Sequence, residues 1–95
     1  MKYYFHPAAE TELLNAVEFY ELQQPELGRR LSEEIQTAIH QICEHPLAWE
    51  KMDAETHRCL TNRFPYGVLY RIKSDHIRII AIMHLRRKPT YWNKR

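Results

Sequence analysis

Two cysteines in 95 residues, Cys43 and Cys59, cannot build a disulfide framework. Two glycines and five prolines leave no flexible linker, and no internal repeat or low-complexity segment is present. The longest uninterrupted apolar run, Ile79–Met83, is far short of the roughly 20 residues that a membrane-spanning helix needs. The opening, Met1–Pro7, has too short an apolar stretch for a signal peptide, which predicts a cytosolic chain. No G-x-S-x-G, Walker A loop, H-E-x-x-H or dinucleotide fingerprint occurs. The scarcest feature is negative charge in the second half. Residues 57–95 contain one acid, Asp75, against ten bases, a balance of +9. Residues 1–56 contain eleven acids against four bases, a balance of −7. The net charge of +2 hides this split.

What is present fits one small globular domain over residues 1–95: hydrophobic content is 44% and charged content 27%. Lys2–His6 reads as a short strand ended by Pro7, which suits the first turn of a helix. Ala9, Leu13, Ala16, Val17 and Tyr20 form one apolar face of that helix. Gln23-Gln24-Pro25 breaks it, and Pro25 can open a second helix. Leu27, Leu31, Ile35, Ala38, Ile39 and Ile42 line that helix until Pro46 stops it near His45. The acids of this half read as a solvated helix surface. Three strand-like runs follow the loop containing Trp49: Arg58–Arg63, Val68–Lys73 and His76–Leu85. Phe64-Pro65-Tyr66-Gly67 and the two-residue Ser74-Asp75 connect them. Strict alternation puts Ile77, Ile79, Ala81 and Met83 on one face of the last strand. It puts Arg78, Ile80, Ile82 and His84 on the other. Both faces are apolar, which predicts a central strand covered on both sides. The order is β-α-α-β-β-β, an α+β fold with a helical hairpin packed on an antiparallel sheet.

The densest candidate site is the stretch His84-Leu85-Arg86-Arg87-Lys88-Pro89-Thr90-Tyr91-Trp92. An imidazole can move protons near neutral pH, and guanidinium groups can clamp phosphate. His84, Arg86 and Tyr91, with Arg63 and Arg71 from the strands, are the candidate catalytic residues. Arg58, Arg87, Lys88 and Trp92 are the candidate contacts to nucleic acid or another target. Arg58 and Arg63 differ by an odd number, so a regular strand sets them on opposite faces. Cys43-Glu44-His45 and His57-Arg58-Cys59 mirror each other, but their spacing is not that of a zinc finger, and no metal or cofactor is expected.

In sequence, Phe5-His6-Pro7-Ala8-Ala9 leads into a helix ending Phe19-Tyr20-Glu21. Phe64-Pro65-Tyr66 precedes Tyr70-Arg71, and the chain closes with His84, Arg86-Arg87, Pro89 and Tyr91-Trp92. In this order and spacing the chain resembles the RelE/ParE toxin superfamily over nearly its whole length. The resemblance implies the toxin of a type II toxin–antitoxin pair, often labelled a plasmid stabilisation protein, with a cognate antitoxin as partner; an open sheet face and an exposed basic tail would be complemented by an acidic amphipathic segment. It implies one of two targets. RelE-like members cleave mRNA on the ribosome without a metal, using basic side chains with Tyr or His. ParE-like members inhibit DNA gyrase and are not nucleases. The ribosomal toxins carry a lysine pair before the middle strands, where this chain has Lys51 and then Asp53 and Glu55. The charge in the second half also admits a plain nucleic-acid-binding module.

Overall fold

The computed structural model describes residues 1–88 and 90–95; Pro89 of the closing motif lies outside them. In chain order the elements are β1 (Lys2–Phe5), α1 (Pro7–Gln23), α2 (Leu27–Glu44), β2 (Glu50–Lys51), β3 (Thr56–Leu60), β4 (Tyr66–Ile72) and β5 (His76–His84). They form an α+β fold, two helices packed on a sheet of order β1-β5-β4-β3-β2. Strands β2 to β5 are antiparallel neighbours, as the short connections predict. Strand β1 joins the other side of β5 in parallel, so the sheet is mixed. The two-residue β2 extends the meander by an edge strand that the sequence pattern left within a loop.

Local chemistry shifts the expected boundaries. His6 leaves β1 to cap α1: its Nδ1 accepts the Ala8 N–H at 3.0 Å, and Pro7 occupies the first helical turn. Strand β3 ends at Leu60 and not Arg63, because the Thr61 hydroxyl donates to the carbonyls of Phe64 (2.7 Å) and Tyr66 (3.2 Å). Strand β4 therefore begins at Tyr66. Helix α2 opens at Leu27 and not Pro25, since Glu26 holds a left-handed backbone, φ 74°. The Glu21 carboxylate on α1 then caps α2, accepting the N–H of Glu26 at 2.8 Å and of Gly28 at 3.0 Å. A β-carbon at Gly28 would collide with the Val17 carbonyl oxygen, so the helices touch there through backbone.

The stripe on α2 is buried as its spacing predicts: Leu31, Ile35, Ala38, Ile39 and Ile42 pack on the sheet. Facing them are Tyr66, Val68 and Tyr70 of β4, Ile77, Ile79 and Ile82 of β5, and Cys59 of β3. The opposite face of the sheet carries a second, smaller core. Leu69, Ile80, Ala81 and Met83 are covered there by Trp92, Tyr91 and Met52. Strand β5 is buried on both faces, as its composition predicts. Its strict alternation fails, however. Leu69 pairs with Ala81 and Tyr70 with Ile79, leaving Ile80 as the extra residue of a bulge. Ile80 and Ala81 therefore both face the C-terminal segment, and Ile82 moves to the helical side. One inserted residue reverses every later side chain.

Candidate functional site

The closing stretch leaves the sheet where β5 runs out. The Leu85 N–H donates to the Pro65 carbonyl at 2.9 Å, which ties this exit to the β3–β4 turn. His84, Arg86, Arg63 and Phe64-Pro65-Tyr66 thus share one end of the sheet. His84 is half-buried, with its ring edge-on to Tyr66 at 5.2 Å. Its Nδ1 accepts the Arg86 N–H at 3.1 Å. With Nδ1 as acceptor, the neutral tautomer carries its proton on Nε2. Arg86 and Lys88 are exposed. Arg63 is exposed too, its N–H held by Glu34 at 2.9 Å.

The other candidates are tied into the fold. Arg71 lies on the face opposite Tyr70 and Ile72. Its guanidinium donates to the Thr56 hydroxyl at 3.0 Å and to the carbonyls of Arg95 (2.9 Å) and Asn93 (3.5 Å). It clamps the C-terminal segment to the sheet. Trp92 is 2% exposed and covers the second core. Tyr91 is half-buried, under the guanidinium of Arg87 at 3.8 Å. Burial pushes its phenol well above the ordinary value, and the neighbouring Glu12 carboxylate adds to the shift. Arg87 pairs with Glu12 at 3.4 Å. Arg58 pairs with Glu50 at 2.8 Å, and its methylenes pack beneath Gly67. Arg63 lies beyond the end of β3, so the alternation expected to separate it from Arg58 does not apply. His57 stacks on Tyr70 and bonds the Trp49 carbonyl at 3.0 Å. Burial raises the Cys59 thiol to about 11, so at neutral pH it is an inert apolar side chain.

Glu12 corrects the reading of the acids as solvent-facing. Strand β1 stops at Phe5, so the outer edge of β5 lacks a partner strand beyond Ile79. Glu12 reaches this edge from α1 and accepts the Ile82 N–H at 3.0 Å. Arg95 donates to Glu12 at 2.8 Å and to the Ile80 carbonyl at 3.1 Å. The two side chains are 13% and 17% exposed. An ion pair thus fills the place of the missing strand, and it satisfies backbone groups that would otherwise be orphaned. No spacing in the sequence marks this pair, because its partners lie at opposite ends of the chain.

A family model described as "ParE toxin of type II toxin-antitoxin system, parDE" matches residues 3–89. No curated protein sequence matches the chain. Among solved structures, one described as "Chromosomal ParDE TA system from P. aeruginosa" shares the fold, with a TM-score of 0.71 at 16% identity. The match covers 90% of this chain and 97% of that one. No helix among the described residues is long and apolar enough to cross a membrane.

Proposed function

We propose that this chain, which belongs to the ParE toxin family of type II toxin–antitoxin systems, arrests growth by binding DNA gyrase and not by cleaving mRNA. The observation that carries the reading is the engagement of the would-be nuclease groups. Ribonuclease chemistry needs a base for the 2′-hydroxyl, an acid for the leaving oxygen and cations on the scissile phosphate. The Nδ1 lone pair of His84 is occupied by the Arg86 N–H. Tyr91 is half-buried with a raised pKa, which removes it as a base near neutral pH. Arg71 holds the C-terminal segment. Arg63, Arg86 and Lys88 remain exposed, and these suit contact with an acidic protein surface.

The family implies a cognate antitoxin. An acidic segment that covers Arg63, Arg86 and Lys88 would compete with the target for the same cations. On this reading the protein acts in the cytoplasm and needs no metal or cofactor of its own. The test is supercoiling by purified gyrase with increasing amounts of the protein, run beside mRNA cleavage on programmed ribosomes. Loss of supercoiling with intact mRNA is the expected result. Specific cuts in ribosome-bound mRNA overturn the reading.

A further inference from the structure

The corner of the sheet farthest from His84 carries a second cationic surface. Tyr3 and Phe5 point to the helices, so Lys2 and Tyr4 face the other way. Ile77 and Ile79 likewise leave His76 and Arg78 on that outer face. The register places Lys2 beside His76, Tyr4 beside Arg78, and Arg78 directly opposite Arg71. Lys73 stands in the adjoining hairpin turn, exposed. Tyr4 is 53% exposed, with its ring edge-on to His76 at 5.3 Å.

Two guanidinium side chains directly opposite on one sheet face repel each other. A fold normally offsets that cost with an acid. Here Arg71 donates to the Thr56 hydroxyl and to backbone oxygens of Arg95 and Asn93, it forms no ion pair, and among the described residues Arg78 forms none either. The Asp53 carboxylate lies close enough to Arg71 for its charge to be felt, and neither Asp53 nor Asp75 pairs with Arg78. Asp75 is bonded to His76 at 2.8 Å, and Asp53 accepts the N–H groups of Glu55 and Thr56. The positive field reaches His6: burial first, then the charges of Arg78 and Arg95, hold its imidazole below the ordinary value.

We propose that Lys2, Tyr4, Lys73 and Arg78 form a binding site for single-stranded nucleic acid, with phosphates on the cations and a base stacked on Tyr4. An exposed ring among cations is the combination that such strands use. The ring accepts any base, and the cations follow the backbone. An acidic peptide would use the charges but gain little from the ring. This site lies on a different part of the molecule from Arg63, Arg86 and Lys88, so it stands or falls independently of gyrase inhibition.

The experiment is fluorescence anisotropy of a labelled oligothymidylate titrated with the full-length protein, from about 50 to 200 mM salt. Three phosphate contacts give a logarithmic salt slope of about −2, at about 0.7 per phosphate on single strands. Arg78→Gln should weaken binding and flatten the slope by about 0.7. Tyr4→Ala should weaken binding about tenfold at unchanged slope, with Tyr4→Phe restoring it. Lys51→Gln, at the opposite edge of the sheet, should bind as the parent does. Thermal melts of each variant separate lost binding from lost folding. The proposal is overturned by no binding at low salt, by affinity that Arg78→Gln and Tyr4→Ala leave intact in folded protein, or by Lys51→Gln having an equal effect. Equal affinity for an oligoglutamate peptide of the same charge also overturns it.

Discussion

The two faces of the sheet are built differently. Toward the helices the core is large and aliphatic: Leu31, Ile35, Ile39 and Ile42 pack on Val68, Tyr70, Ile77 and Ile79, all nearly inaccessible. Toward the C-terminal segment the core is small, five buried residues anchored by Trp92. It is sealed by polar contacts, with Arg71 on backbone carbonyls and the Glu12–Arg95 pair on the edge of β5. On this side Arg58 Nε, Tyr91 Oη and Trp92 Nε1 are buried with no hydrogen-bond partner among the described residues. Apolar burial stabilises in proportion to area, whereas buried polar groups contribute little and cost much when unpaired. The difference predicts that the helical face is the source of global stability and that the C-terminal segment opens as a separate unit.

The largest expected effect tests that contrast directly. Ile39→Ala should cost about 2–5 kcal/mol of global stability, read from denaturant midpoints. Trp92→Ala removes a larger side chain, yet it should lower global stability less, because the segment it anchors opens without the rest. If Trp92→Ala unfolds the domain as readily as Ile39→Ala, the two faces are one cooperative unit. Next, Glu12→Ala should cost about 1–3 kcal/mol by orphaning the Ile82 N–H and the Arg95 guanidinium. Glu12→Gln, which keeps an acceptor for Ile82, should cost less, and amide exchange at Ile82 distinguishes the two.

A functional comparison within the exposed end comes third. Arg86→Ala should raise the protein concentration needed to inhibit gyrase about tenfold, as loss of an interface arginine commonly does. His84→Ala should change it far less. The reverse ranking, or loss of mRNA cleavage on His84→Ala, would restore a nuclease reading.

The smallest effect is a dependence on pH. The folded pKa of His6 lies below its unfolded value of 6.5, since burial and two arginines disfavour the charged ring. Its Nδ1 must also stay unprotonated to cap α1. The neutral ring therefore contributes stability that is present above pH 6.5 and lost as pH falls through the folded pKa. Melting temperature should decline across that window in the parent. His6→Asn, which keeps a capping acceptor without a titrating ring, should flatten the decline.

Much of this is legible in the sequence itself. Apolar spacing on Leu31 to Ile42 marked α2, Pro7 marked the start of α1, and Ser74-Asp75 marked the last hairpin, because each signal is local and steric. The candidate site was legible only as a list. His84 and Arg86 are near in sequence and do meet, while Arg71 and Trp92 carry the residue types of a binding site and hold the fold instead. Nothing in the sequence distinguishes a guanidinium facing solvent from one facing a carbonyl.

By itself, then, the sequence determined the order of elements, the helical core face and the separation of charge into an acidic hairpin and a basic sheet. These follow from periodicity and composition, which act over a few residues. Only the tertiary structure decided which charges stay free. The bulge at Ile80 re-aimed β5, the early end of β1 left an edge for Glu12 and Arg95, and the C-terminal segment captured Arg71. Each depends on partners far apart in the chain, where pairing is set by register and by which backbone groups are left without partners.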